Sequence, residues 1–304
     1  MVELNSFETL LLQCRRASSL PPLPSSVLRL IREIEENDPS TAQLERIITS
    51  DPALTTAFLR LHRMDVGATD EIGTHIQSVI LTIGFRAVKN IALSLLVQNS
   101  LKGAFEECLF DPKACARHSL FVAYLAHYVA ARPFATDPHR PQDIGDVFAF
   151  GVLHDLSVYL LAKLSPATYN RVQFYARKRQ SSIAAAFQHL YNRPLTDLGA
   201  TACEAWRLPQ AFVRFQQGCN EPWMARELEH AVCSILYADQ VANQYGWAFE
   251  SWTVRDDLPS ELIEELVIPE AELVLVVERV GQLVEAFCPP NPNYSERLVG
   301  AGAG

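Results

Sequence analysis

Apolar residues in this chain recur at intervals of three and four, in segments punctuated by proline, and almost nowhere at intervals of two. That periodicity restricts the chain to an all-α architecture, because only a helix brings such positions onto one face. The tandem prolines of Leu20-Pro-Pro-Leu-Pro24 close a first helix over residues 6–18, since they remove amide donors and clash with helical continuation. Val27, Leu28, Ile31 and Ile34 then form one stripe, broken at Asn37-Asp-Pro-Ser40. Ser40 is placed to cap the next helix, with Leu44, Ile47 and Ile48 inward. Asp51 caps another, with Pro52 at the first helical position, where a missing amide hydrogen costs nothing, and Leu54, Phe58 and Leu61 inward. A segment over 76–84 stops at Gly84, and a helix follows over 85–101. Residues 132–145, with three prolines, read as a loop.

The second half repeats the pattern. Residues 146–164 are almost wholly apolar and predict one buried central helix, stopped at Pro166. Helices are expected over 169–191, 195–206, from Pro209, and over 225–245. A short helix is expected near Leu258, and a last one over 270–287 carries Leu273, Val277, Val280 and Val284 on one face. That stripe favours packing back onto the core. The Gly-Ala-Gly end is expected to be disordered.

Four polar residues interrupt the apolar faces. His118 shares its helical face with Phe121, Val122, Leu125 and Val129; His154 and Asp155 sit inside the central apolar run; Asp239 follows Val232, Ile235 and Leu236. An unpaired carboxylate in an apolar interior costs several kcal/mol, roughly, so Asp155 and Asp239 need partners. Two readings satisfy that need. The four can form a hydrogen-bonded knot that specifies the core and binds nothing, or they can hold a divalent cation.

Bulk properties narrow the function classes. A formal net charge of −9 opposes general affinity for nucleic acid or an anionic membrane. No stretch is expected to span a bilayer, and the start lacks the basic and apolar regions of a secretory signal, so a cytoplasmic location is expected. Seven cysteines without a Cys-x-x-Cys pair argue against a disulfide framework or a zinc ribbon. The helix-break-helix over 40–63, with Arg60, His62 and Arg63, superficially resembles a DNA reader, but its apolar stripe favours packing. Arg86, Lys89 and the run Arg177-Lys178-Arg179 read as solvated helix surface. His75 and His189 receive no role.

The ordered motifs Leu20-Pro-Pro-Leu-Pro24, Ile48-Thr-Ser-Asp-Pro-Ala-Leu54, Ile80-Leu-Thr-Ile-Gly84-Phe-Arg86-Ala-Val88, Arg117-His118-Ser119, Gly151-Val-Leu-His-Asp155 and Trp206-Arg-Leu-Pro209 resemble the HDOD family of bacterial signalling proteins. The resemblance covers about 20–245 and implies a bundle related to HD phosphohydrolases. It divides the chain into an N-terminal helix (1–19), an HDOD domain (20–245, with an N-terminal helical layer at 20–104 and an HD-like bundle at 105–245) and a C-terminal helical extension (246–304). In the parent enzymes the pattern His, His-Asp, Asp holds a divalent cation that activates water. Mapped by motif, those ligands are His118, His154, Asp155 and Asp239, suited to one zinc, iron or manganese ion.

Several departures from the enzymes weigh against catalysis. His154-Asp155-Leu156-Ser157-Val158 lacks the lysine of His-Asp-Ile-Gly-Lys; Leu195, Cys219 and Asn220 stand where two-metal relatives place further histidines. The Gly-Tyr-Pro signature of cyclic dinucleotide cleavage is missing. Cys219 near the old metal site reads as a passive thiol. No catalytic residue is assigned. The resemblance therefore implies a non-catalytic regulatory protein that binds a partner protein or a small ligand, without nucleic acid or membrane. With no receiver or sensor recognisable, input is expected by non-covalent association or through the tail after Tyr245. The alternative is a mononuclear metal-dependent phosphohydrolase acting on a nucleotide or other phosphate ester.

Overall fold

In the computed structural model, the described residues are 4–16, 24–52, 105, 108–132, 147–219, 229–249, 266 and 268–289, with single positions 54, 55, 58, 76, 77, 80, 81, 84, 85, 88, 89 and 92. All regular structure among them is helical. The chain forms two compact units, one of Pro21–Lys102 and one of Met1–Leu20 with Gly103–Gly304.

The smaller unit follows its sequence signals closely. Helix α2 (Ser25–Glu36) buries Val27 and Ile31 of the expected stripe and Leu30 beside them, while Leu28 and Ile34 of that stripe are half-buried. Helix α3 (Thr41–Thr49) opens with a capping box in which the Ser40 hydroxyl accepts from the Gln43 amide and the Gln43 side chain accepts from the Ser40 amide, leaving Leu44, Ile47 and Ile48 buried. Asp51 caps the next turn, its carboxylate accepting from the Leu54 amide at 3.3 Å, and Leu54 and Phe58 are buried. Gly84 takes φ +79°, a left-handed conformation suited to a helix stop. Lys89, expected on a solvated face, is instead buried, as are Val88 and Ala92. A long aliphatic stem makes that possible where a shorter charged side chain could not follow. Leu61, His62, Arg60, Arg63, His75, Arg86, the loop over 132–145 beyond Arg132, the short helix near Leu258 and the Gly-Ala-Gly end lie outside the described residues.

In the larger unit α4 (Pro112–Ala130) is the central element. Asp111 caps it, with Pro112 in the first turn. It packs against α5 (Val147–Leu153), α11 (Glu229–Gln244) and α12 (Glu270–Phe287). Next to these, α6 (Leu156–Leu164) packs on α7 (Pro166–Arg179) and α9 (Thr196–Ala205); α7 pairs with α8 (Ile183–Tyr191), and α9 with α10 (Gln210–Gly218) and α1 (Leu4–Arg15). Phe7 of α1 meets Phe187 of α8 at 5.5 Å between ring centroids. As its stripe predicts, α12 buries Leu273, Val277, Val280 and Val284.

Two expected helices are divided. Instead of one helix over 146–164, α5 and α6 are separated by a two-residue turn at His154 and Asp155, where Asp155 leaves helical geometry at φ −97°, ψ 16°. The polar side chains sit at the break because a turn is where two half-buried polar side chains and freed backbone groups find partners together. Instead of one helix over 169–191, α7 ends at Gln180 in the left-handed region (φ +51°), and Ser182 caps α8 by accepting from the Ala185 amide. The Ser181-Ser182 pair carried that signal. The expectation that no stretch could span a bilayer also needs correction: Val147–Leu164 is long and apolar enough by composition, with mean hydropathy 1.5, although 78% of it is buried in the protein's own core. Each fully buried leucine there contributes about 1.5–3 kcal/mol.

Candidate metal centre

One backbone crossing sets the site. Gly151 in α5 lies so close to Ala123 in α4 that an added Cβ would stand 2.6 Å from the Ala123 Cα. Only a residue without a side chain permits that approach. One turn on, His154 swings from the end of α5 towards His118, which α4 holds 3% exposed. The Nε2 atoms of the two imidazoles lie 3.2 Å apart. Asp155 Oδ2 is 3.1 Å from His154 Nε2 and 3.4 Å from His118 Nε2, and Asp239 Oδ1, from α11, is 3.3 Å from His118 Nε2. All four residues singled out in the sequence therefore meet, and donor atoms of His118, His154 and Asp155 lie within 4.8 Å of one another.

The far nitrogens decide the tautomers. His154 Nδ1 donates to the Gly151 carbonyl at 2.7 Å, and His118 Nδ1 donates to the Trp247 carbonyl at 3.1 Å. A carbonyl only accepts, so each Nδ1 carries a proton and each Nε2 faces the centre. Two lone pairs 3.2 Å apart repel unless a cation or a proton stands between them. Paired Nδ1–H donation with Nε2 turned inward is the arrangement metal-binding histidines use. The donor atoms of His118, His154 and Asp155 thus fit one divalent cation, while Asp239 reaches that group through His118, 3.3 Å from its Nε2.

Without a cation a proton takes its place. Burial alone would lower the His118 pKa, but hydrogen bonds and charge from Asp155 and Asp239 outweigh it and raise the pKa from 6.5 to about 10. Burial would likewise raise Asp155, but the His154 charge and the hydrogen bonds from both imidazoles hold it well below the usual carboxylate range.

The cluster lines a cleft that opens to solvent. Its walls include Leu195 and Cys219, two of the positions where a second metal would need histidines, together with Val158 in place of the phosphate-contacting lysine. Asn220 lies outside the described residues. The Cys219 thiol is buried and donates to the Gln216 carbonyl at 3.4 Å. No lysine or arginine is among the described residues lining the cleft. Ser157 serves packing: its hydroxyl accepts from the Gly199 amide at 3.0 Å. Gln216, wholly buried, donates to the Leu153 carbonyl at 2.6 Å, satisfying a backbone acceptor freed by the turn at His154.

Sequence reasoning missed Asn243, Trp247 and Phe249. Asn243 stands one turn after Asp239 and donates to its backbone carbonyl at 2.9 Å and to Oδ1 at 3.4 Å, an i, i+4 relation legible in the sequence. Phe249 stands 5.3 Å from the His118 ring. The Trp247 contribution is a backbone carbonyl, for which no residue type gives a signal. Arg177-Lys178-Arg179 ends α7, where cations complement the helix dipole, and His189 stacks on Tyr175.

Known proteins share this architecture. An HDOD domain protein of unknown function from Geobacter sulfurreducens has a TM-score of 0.71 at 18% identity, over 92% of this chain and 99% of that one. A candidate phosphohydrolase from Shewanella amazonensis SB2B gives 0.64 at 21%, over 91% and 97%. A candidate signal transduction protein from Marinobacter aquaeolei VT8 gives 0.65 at 16%, over 89% and 59%. At such identities the likeness is one of fold. An uncharacterized protein of Treponema pallidum is 21% identical over 227 residues, 74% of this chain; the chain spans 42% of that relative's length. The HDOD domain family itself matches residues 20–222, and with the helical bundle and the His-Asp turn in place the chain belongs to the HDOD family.

Proposed function

We propose that this HDOD protein is a non-catalytic regulatory component of signal transduction, which keeps a single divalent cation site at His118, His154, Asp155 and Asp239 and acts by binding a partner protein or small ligand. The observation that carries this reading is the cleft wall. Leu195, Cys219 and Val158 stand around an otherwise intact first metal site, so the groups that would bind a second metal and neutralise a phosphate ester are replaced by side chains that do neither. A hydrolase of this type relies on such charge neutralisation in the transition state. When bound, the cation supplies a Lewis-acidic anchor for an anionic or neutral oxygen ligand. A protein partner is supported by α7, where Phe174 is 70% exposed beside Arg171 and Lys178 on one helical face. No acidic residue lies between Asp155 and Asp197, which suits an acidic partner surface.

A second reading, a mononuclear phosphohydrolase, draws on the same four residues and on the candidate phosphohydrolases of the same fold. One experiment separates the two. Protein purified without an affinity tag or chelator is analysed for metal and assayed against phosphate mono- and diesters, beside His154→Ala and Asp155→Ala. Metal that disappears in both variants, with no turnover in any sample, supports the regulatory reading. Turnover that disappears with the metal replaces it with the second.

A further inference from the structure

The family match ends at residue 222, yet His118 takes its Nδ1 partner from residue 247. How the chain reaches that point is specific. Gly246, at φ +77°, ends α11 in the left-handed region, and the Trp247 amide turns back to donate to the Ala242 carbonyl at 2.8 Å, completing a Schellman motif. The turn aims the Trp247 carbonyl at His118. Its indole stacks on Phe121, one turn along α4, at 4.8 Å and 12° between ring planes. Phe249 then lies against the His118 ring and, with Ala248, lines the cleft.

This segment is fastened to α12 through Arg117. Its guanidinium lies 5.0 Å from the Trp247 ring centroid, donates to the Cys288 carbonyl at the carboxyl end of α12 at 2.7 Å, and sits 3.7 Å from the Glu285 carboxylate. From α12 itself, Gly281 presents bare backbone to the indole; an added Cβ would stand 2.8 Å from Trp247 Cζ2. Trp247 is only half-buried, so simple burial of its ring does not account for this arrangement. A ring clasped between Phe121, Arg117 and Gly281, with its own carbonyl on a buried imidazole, ties the docking of α12 to the orientation of His118.

We infer that residues 246–249 form a strap that positions His118 for metal retention, and that Arg117 latches the strap to α12, making the C-terminal helix the element that sets how firmly the cleft holds its cation. Trp247 and Arg117 are positioning residues here. The inference rests on the reading of the cluster as a metal site and extends it to regulation. Loss of a partner that orients a metal-bound histidine typically weakens metal affinity by about 10–100-fold.

The test uses the full chain and two substitutions that strain the latch from opposite sides, Arg117→Met and Gly281→Ala. Manganese(II) affinity is measured by calorimetry, and the His118 Nδ1 proton is followed by NMR in the metal-free protein. Both variants should bind manganese at least ~10-fold more weakly, and the Nδ1 proton should exchange faster with solvent in both. Manganese affinity within two-fold of the unsubstituted protein, with an unchanged Nδ1 resonance, overturns the strap. If the unsubstituted protein binds neither manganese(II) nor zinc(II), the metal reading fails by itself; the strap is then decided by the NMR signal, and an unchanged resonance in both variants overturns it.

Discussion

Substituting Gly151→Ala tests the link between helix packing and the site most directly. The new Cβ would lie 2.6 Å from the Ala123 Cα and 3.1 Å from both its Cβ and its backbone nitrogen. Carbon atoms in ordinary contact stand about 3.5–4.0 Å apart, so α4 and α5 must separate by roughly 1 Å. Because the opposing atoms are backbone, no rotamer change relieves the clash, and the cost falls towards the upper part of the ~1–3 kcal/mol range for overpacking. The gain in helix propensity offsets about 1 kcal/mol of it. A net loss of about 1–2 kcal/mol is expected, a fall in Tm of several degrees, roughly, for a chain of this size. The same separation carries the Gly151 carbonyl and the His154 ring away from His118, stretching the 3.2 Å approach of the two Nε2 atoms. Metal affinity should fall about 10-fold or more. Thermal denaturation of the metal-free protein followed by circular dichroism, with a parallel metal titration, reads both effects. A variant as stable as the parent refutes the packing argument; a destabilised variant with full metal affinity refutes its connection to the site.

Other expectations follow from individual groups. In metal-free protein His118 has a folded pKa above its ordinary value, so its contribution to stability is complete below pH 6.5 and fades as pH rises through about 10. Asp155, depressed, contributes above its ordinary 3.8 and loses that contribution as pH falls further. Urea denaturation across pH 4–10 should therefore show stability declining on the alkaline side, and the decline should shrink in His118→Gln. Asp239→Asn removes one of the two carboxylates at His118 Nε2, so the His118 pKa should fall clearly below about 10 in an NMR titration; an unchanged value would remove Asp239 as its partner. Ser40→Ala breaks the capping box of α3 and should cost about 1 kcal/mol in denaturation experiments, with no effect on metal content.

The helical fold, many element limits and the four polar residues that come together are legible in the sequence alone. Periodic apolar stripes such as Leu44, Ile47 and Ile48 or Leu273, Val277 and Val280 report burial directly, because a helix converts spacing into a face. Caps at Ser40 and Asp51 are local events within four residues and so are legible. The polar quartet stands out because charge in an apolar stripe is costly enough to need an explanation. Tertiary structure decided what those signals meant together. The break at His154-Asp155 is invisible to hydropathy, since both flanking segments are apolar, and depends on Gly151 meeting Ala123 and on Gln216 reaching the Leu153 carbonyl. Only the folded chain brings Trp247 to His118, 129 positions away, and it does so with a carbonyl common to every residue. Side-chain chemistry is written in the sequence; the backbone groups that orient it acquire their role only when the helices are packed.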